Sequence, residues 1–459
     1  MIVAQFIARF MARLWHGYGT IDRLKSRWIH SKTTLMPSFQ SLFLAAFCIA
    51  FGLKLWLLLR QMRHVWQHRD SPPAAFADSI PLAEHQKAAS YTLAKSRVGL
   101  IGLAIEGGLL YAFTLGGGLQ WLQDSLAGVI SQPLLAGVGV LLGLTLISSS
   151  VELPLSFYSQ FRIESRFGFN RQTPAGFFGD LLKQTLLGLA IGGPLILLVL
   201  WLMGIMGDNW WLWVWAVWMG FNLLLLTVYP TLIAPLFNKF TPLADENLKQ
   251  RIEALLARAG FHASGVFVMD GSRRSSHGNA YFTGLGKNKR IVFYDTLLTQ
   301  LTPEQIEAVL AHELGHFKRR HIIKRIGLMF FLSLVMLGLL SVLKEAGWFY
   351  QGLGVSSQTD ATALALFFLT LPVFLFPLSP LMSLYSRKHE FEADAFAASL
   401  THPGHLISAL VRLYRDNAAT LTPDPVYSLF YDSHPKAVER IGKLESYDSP
   451  ARNPQPLHA

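Results

Sequence analysis

Seven apolar runs constrain this chain more than any other feature. They fall at about 39–59, 98–121, 134–157, 181–206, 210–236, 324–346 and 361–385. Each is near the ~20 residues a helix needs to cross the hydrocarbon core of a bilayer. Lipid offers the backbone no hydrogen bonds, so apolar runs of this length are helices. The expected fold is an all-α integral membrane bundle of seven transmembrane helices. Only 15% of the residues are charged and 51% are hydrophobic, against about 25% charged in a soluble domain. Cys48 is the single cysteine, which excludes internal disulfides and a Cys-rich zinc ribbon. The net charge of +11 would hint at nucleic acid in a soluble protein. In a membrane protein it reflects basic cytoplasmic loops, so membrane lipids and no nucleic acid are expected as partners.

Loop charges orient the bundle. Segments 122–133, 207–209 and 347–360 carry no Lys or Arg, whereas 60–97, 158–180, 237–323 and the tail after 385 are basic. The second set belongs on the cytoplasmic side. The first 36 residues break this pattern with Arg9, Arg13 and Arg23. Val3, Phe6, Ile7, Phe10 and Leu14 share one helical face, which suits an amphipathic extension on the membrane surface. Gly207-Asp208-Asn209 makes spans four and five a tight hairpin, and Trp210, Trp211, Trp213, Trp215 and Trp218 read as a headgroup anchor. The organisation expected is an extension (1–36), spans one to five (37–236), a polar insert (237–323), spans six and seven (324–385) and a C-terminal region (386–459).

The insert reads as α+β. Its expected elements are a helix over 245–259 ending at Gly260, a strand at 265–269, and a hairpin of 278–284 with 290–294 around a Gly-Lys-Asn turn. Thr302-Pro303-Glu304-Gln305 is a helix start, with Thr as cap, Pro in the first turn and Gln at the third position. The helix is expected over 304–320, running straight into span six. It carries His312-Glu313-Leu314-Gly315-His316. Histidines at i and i+4 share a face and can hold one Zn²⁺, with the Glu in reach of a water on the metal. A catalytic zinc takes a third protein ligand from elsewhere. Glu390 is the best candidate, and Glu392 and His389 are its rivals. Glu392 points about 200° away from Glu390 on a helix, so the two cannot both ligate. Asp394, one turn after Glu390, is placed to accept the outer N–H of a ligand histidine or to form a helix salt bridge.

With these motifs the chain resembles the Ste24-type membrane metalloproteases, the CAAX prenyl proteases of the M48 peptidase group. The resemblance runs over about 85–445. It includes Glu152-Leu153-Pro154-Leu155-Ser156-Phe157-Tyr158, Phe167-Gly168-Phe169-Asn170-Arg171-Gln172-Thr173, Ser275-Ser276-His277-Gly278-Asn279-Ala280-Tyr281-Phe282, His312–His316, Glu390–Asp394 and Ser433-His434-Pro435. It implies a bundle that encloses a water-filled chamber, a small α+β zinc metalloprotease insert, and zinc at the cytoplasmic end. It also implies peptide or protein substrates, possibly lipidated, cut by removal of the last three residues.

The roles then implied are one zinc on His312, His316 and Glu390, with Glu313 as general base. His434 serves as oxyanion donor, a role the residues alone would not have given to a His-Pro in a loop. Asn279 and Ala280 lie on an edge strand that a substrate can extend. Arg440 serves the substrate side or pins its helix. Lys54, Glu106 and Glu152 pair across helices or line the chamber, and Lys318-Arg319-Arg320 with His321 sit at headgroup level. The membrane would be the inner membrane of a prokaryote or the endoplasmic reticulum of a eukaryote, with the site facing the cytoplasm. An HtpX-like quality-control protease is the alternative within this class. A zinc or small-molecule transporter is another, although transporters hold their ligands at mid-membrane on broken helices. A catalytically dead receptor would have no use for Glu313.

Overall fold

A computed structural model describes residues 36–448, apart from 262 and 284–289. The N-terminal extension and the Gly-Lys-Asn turn lie outside the described residues. In order, the first helices are α1 (Met36–Gln67), α2 (Leu82–Phe113), α3 (Gly118–Val129), α4 (Pro133–Tyr158), α5 (Pro174–Ile205) and α6 (Trp210–Val228). The insert holds β1 (Phe240–Pro242), α7 (Glu246–Ala259), β2 (Val266–Met269), β3 (Ala280–Thr283), β4 (Arg290–Tyr294), α8 (Asp295–Gln300) and α9 (Pro303–Lys318). There follow α10 (His321–Leu343), α11 (Gly347–Gln351), α12 (Asp360–Leu375), α13 (Ser379–Leu400), α14 (Pro403–Asp416), α15 (Pro425–Tyr431) and α16 (Ala437–Asp448).

Seven of the described helical runs are long and apolar enough to cross a membrane. In six of them no more than 22% of the most apolar stretch is buried, whereas half of the seventh is. Span seven is thus the most enclosed of the seven, and the other six turn most of their apolar surface to lipid or to the interior of the bundle, consistent with an enclosed chamber. The loops without Lys or Arg gather at one end. Gln120 Oε1 accepts from the amides of Ser356 (2.9 Å) and Ser357 (3.0 Å). Lys344 reaches the carbonyl of Met203 (3.5 Å) and pairs with Asp360 (2.7 Å).

Three expectations about the spans change. Span two begins at Leu82 and ends at Phe113 instead of covering 98–121. Gly116-Gly117-Gly118 stops it, with Gly117 at φ 75°, and α3 starts afresh. Left-handed backbone of this kind is cheap only for Gly. Span four starts at Pro174, where Thr173 Oγ1 accepts from Gly176 N (3.1 Å). The Trp cluster is not all anchor: Trp210 and Trp215 are buried in the bundle core while Trp213 and Trp218 are exposed. Helix α6 has protein on one side, and the Trp215 indole donates to the carbonyl of Phe330 on α10 (2.9 Å). Lys54 and Glu106, the charges inside spans one and two, pair across helices at 2.6 Å.

The four strands run in the order β1-β2-β4-β3. Strands β2 and β4 are parallel, and β3 is antiparallel to β4 with Ala280 opposite Phe293. The expected hairpin is present, β3 is an edge, and β1 is an addition the sequence did not suggest. Helix α9 opens with the expected capping box, Thr302 N donating to Gln305 Oε1 (3.0 Å) and Gln305 N to Thr302 Oγ1 (3.4 Å). Its buried face of Ile306, Leu310 and Leu314 joins a second core with Ile252 and Leu255 of α7, Phe293 of β4 and Ala397 of α13. Helix α9 does not run straight into span six. It stops at Lys318, Arg320 takes a left-handed conformation (φ 56°), and α10 starts at His321. Glu390 follows span seven, because α12 passes through the short turn Phe376–Leu378 into α13.

Candidate metal centre

Helices α9 and α13 cross at Gly315. A Cβ there would stand 2.8 Å from Ala393 Cα and 3.0 Å from its carbonyl oxygen. This closeness lets His312 and His316 on one helix meet Glu390 on the other. Their ligand atoms all lie within 4.8 Å of one another. His312 Nε2 is 3.2 Å from His316 Nε2 and 3.4 Å from Glu390 Oε2, and His316 Nε2 is 3.4 Å from Glu390 Oε1.

These distances test whether zinc fits. Tetrahedral zinc with bonds of about 2.0–2.1 Å spaces its ligand atoms about 3.3–3.4 Å apart. The His312–His316 separation agrees, as does the shortest distance from each histidine to the Glu390 carboxylate, at Oε2 for His312 and Oε1 for His316. Glu390 is 3% exposed, and its Oε2 is buried without a hydrogen-bond partner. A buried carboxylate oxygen with no donor is costly unless a cation meets it. The donor set fits the metal.

Around this triangle each side chain has a holder. Asp394 Oδ1 accepts from His312 Nδ1 (2.8 Å), which turns Nε2 toward the metal position. Arg440 donates to the same carboxylate twice, through Nη2 (2.6 Å) and Nε (2.9 Å). The structure therefore places Arg440 behind Asp394, with its fork committed there. Burial works against the His312 imidazolium. The hydrogen bond to Asp394 and the nearby Glu390 carboxylate outweigh that and raise its pKa to about 9. Burial, reinforced by repulsion from His312, lowers His316 to about 4. That leaves its lone pair available to a metal. Desolvation raises the Glu313 carboxyl above its ordinary value.

A cavity of about 160 Å³ joins these groups. Asn279, Ala280, Glu313, Glu390 and His434 all line it. His434 Nε2 lies 3.5 Å from Glu390 Oε2, and its Nδ1 is 3.0 Å from Ser433 Oγ. The structure thus brings all nine sequence-predicted residues to one place. Asn279 currently turns its Oδ1 to the amide of Ala280 (2.8 Å), and its carbonyl accepts from Tyr294 N (3.0 Å).

Several residues around the site were not foreseen. His321, expected among headgroups, is 2% exposed and bonded to His316. The elbow at Arg320 turns it inward. Arg387 on α13 donates to the carbonyls of Ser428 and Asp432, the latter at 3.2 Å, just before His434. Asp424 caps α15 through the amides of Val426 and Tyr427 and pairs with Arg60 of span one (2.9 Å). The segment before β3 is held by the loop after span three. Asn170 bridges to Ser275, Phe169 stacks on His277 with ring centroids 4.3 Å apart, and the carbonyl of Phe169 accepts from Ser276 N (3.2 Å). The Phe-Gly-Phe-Asn motif thereby steadies the approach to the edge strand.

The chain is similar to known proteins over most of its length. Residues 61–239 match the family model for the CAAX prenyl protease N-terminal region with five membrane helices, and 242–448 match that of peptidase family M48. The CAAX prenyl protease 1 homolog of Arabidopsis thaliana is 36% identical, over 82% of this chain and 91% of the plant protein. The Homo sapiens homolog is 32% identical, over 90% of this chain and 97% of its own length. The crystal structure of S. mikatae Ste24p superposes with a TM-score of 0.81 at 31% identity, covering 89% of this chain and 99% of that one.

Proposed function

Because the chain belongs to the Ste24-type CAAX prenyl protease family of membrane zinc metalloendopeptidases, we propose that it releases the C-terminal tripeptide of prenylated CAAX proteins. One zinc ion would be held by His312, His316 and Glu390. The observation that carries this reading is the convergence of ligand atoms from His312, His316 and Glu390 within 4.8 Å of one another, beside a buried Glu390 Oε2 that accepts no hydrogen bond. Zinc held there supplies a Lewis acid for the scissile carbonyl and an acidified water.

The protein's own groups do the rest. A substrate strand lies along β3, with Ala280 giving backbone hydrogen bonds and Asn279 released to grip its main chain. Glu313 takes the proton of the attacking water and passes it to the leaving amine. His434 Nε2 donates to the oxyanion as the tetrahedral intermediate forms. Asp394 and Arg440 keep His312 in the tautomer that offers Nε2. The gathering of loops lacking Lys and Arg at the far end supports a cytoplasmic position for the site.

The test compares peptide termini in membranes carrying the wild-type protein or Glu313→Gln. The variant should keep its zinc, lose at least about 100-fold in turnover, and leave CAAX tripeptides uncut. Normal turnover would remove Glu313 from the mechanism. Equal cleavage of unprenylated peptides would remove the lipid from the substrate definition.

A further inference from the structure

The two ligand histidines rest on different supports. His312 meets a carboxylate directly. His316 turns its Nδ1 to a second imidazole, His321 Nδ1, at 3.0 Å. His321 Nε2 then lies 2.9 Å from Glu392 Oε2. The ring of His321 lies flat on that of His389, with centroids 3.9 Å apart and planes 9° apart. His389 is in turn held edge-on by Tyr385 at 4.3 Å. The stack fixes the plane of His321, so its Nδ1 stays aimed at His316.

Proton placement along this line follows from one fact. An imidazole that gives its Nε2 lone pair to a metal carries its proton on Nδ1. His316 is therefore the donor and His321 Nδ1 the acceptor. The proton of neutral His321 must then sit on Nε2, where Glu392 accepts it. Each tautomer sets the next, and the carboxylate at the far end anchors the whole line.

The backbone is arranged for this contact. In an unbroken helix, residue 321 would sit about 140° around the axis from residue 316 and face elsewhere. Left-handed Arg320, an uncommon conformation for a non-glycine residue, breaks the helix and turns the first residue of α10 back onto α9.

We propose that His321 and Glu392 are positioning residues for the metal: a carboxylate–imidazole–imidazole support that orients His316 as Asp394 orients His312. This rests on His316 being a zinc ligand. It gives Glu392 a use although it points away from Glu390, and it makes His321 more than a buried packing residue.

The test is zinc affinity by chelator competition on the purified full-length protein, together with the visible spectrum of the Co²⁺-loaded form. His321→Phe keeps an aromatic ring on His389 but removes the acceptor. It should weaken zinc binding about 10- to 100-fold and shift the cobalt bands. His321→Gln, which can both accept and donate, should recover part of the affinity. Glu392→Gln leaves the His321 ring in place and should weaken zinc severalfold, so the proposal stays testable should His321→Phe fold poorly. Wild-type zinc affinity and an unchanged cobalt spectrum in both His321→Phe and Glu392→Gln would overturn it. His316→Ala is the control. If that variant also keeps its zinc, the zinc-site reading itself is wrong; if it alone loses zinc, only the support fails.

Discussion

At Asp394 one carboxylate serves two partners. It accepts from His312 Nδ1 and from both ends of the Arg440 fork, at 1% exposure. Removing one side of a buried ion pair strands the other charge, at a cost of about 3–5 kcal/mol. Asp394→Ala should therefore lower the thermal midpoint of the purified protein as well as loosen its zinc, read by melting and by metal content together. A variant that loses zinc with an unchanged melt would mean that Arg440 finds another partner. Much of this site was legible in the sequence, because helical spacing is local. His312 with His316, and Glu390 with Asp394, each lie four residues apart, and a 3.6-residue turn puts such pairs on one face. His434 came only through the family resemblance, since a His-Pro in a loop has no periodic signal. His321 was missed because nothing in Lys318-Arg319-Arg320 announces a backbone reversal. Neither Gly nor Pro marks the elbow, and a basic run before a span reads as a lipid anchor.

Helix starts and stops follow the same division between local and distant causes. Thr302-Pro303 marks α9 on its own residues. Span four starts seven residues before the expected 181, and the added turns carry Asp180. That carboxylate is met by Arg274 at 2.8 Å and 3.1 Å, from a segment 94 residues away in sequence. Strand β1, three residues including a proline, has no periodicity and exists through its pairing with β2. The crossing of α9 and α13 is likewise invisible until the two helices meet, yet it sets the metal geometry. Gly315→Ala would drive a methyl group against the Ala393 backbone, and forced packing of this kind costs about 1–3 kcal/mol. Because the helices must part to relieve it, zinc content and turnover should fall together. Gly327→Ala in span six, where the space around a Cβ is open, should leave both unchanged. Full zinc occupancy in the Gly315 variant would show that the crossing has slack.

Over the whole molecule, the catalytic parts are bolted to the bundle at several points. Asp424 ties the segment before His434 to Arg60 of span one, and Gln61 of the same span accepts from Asp424 N (2.7 Å). The Phe169 loop ties span three to the edge strand. The two helices that carry the proposed ligands are themselves continuations of spans. Helix α9 passes through a single elbow into span six, and span seven passes through one short turn into α13. A change in the angle between these spans is therefore passed through the elbow and the turn to the histidine pair and Glu390. Spans answer a change in hydrocarbon thickness by tilting. Bilayer thickness should thus act as a mechanical input to the metal geometry. In vesicles of increasing acyl-chain length, turnover should rise to a maximum and fall again, while a rate independent of thickness would mean that the elbows absorb the tilt. On this account, lipid composition becomes a regulator of peptide cleavage without any lipid touching the site.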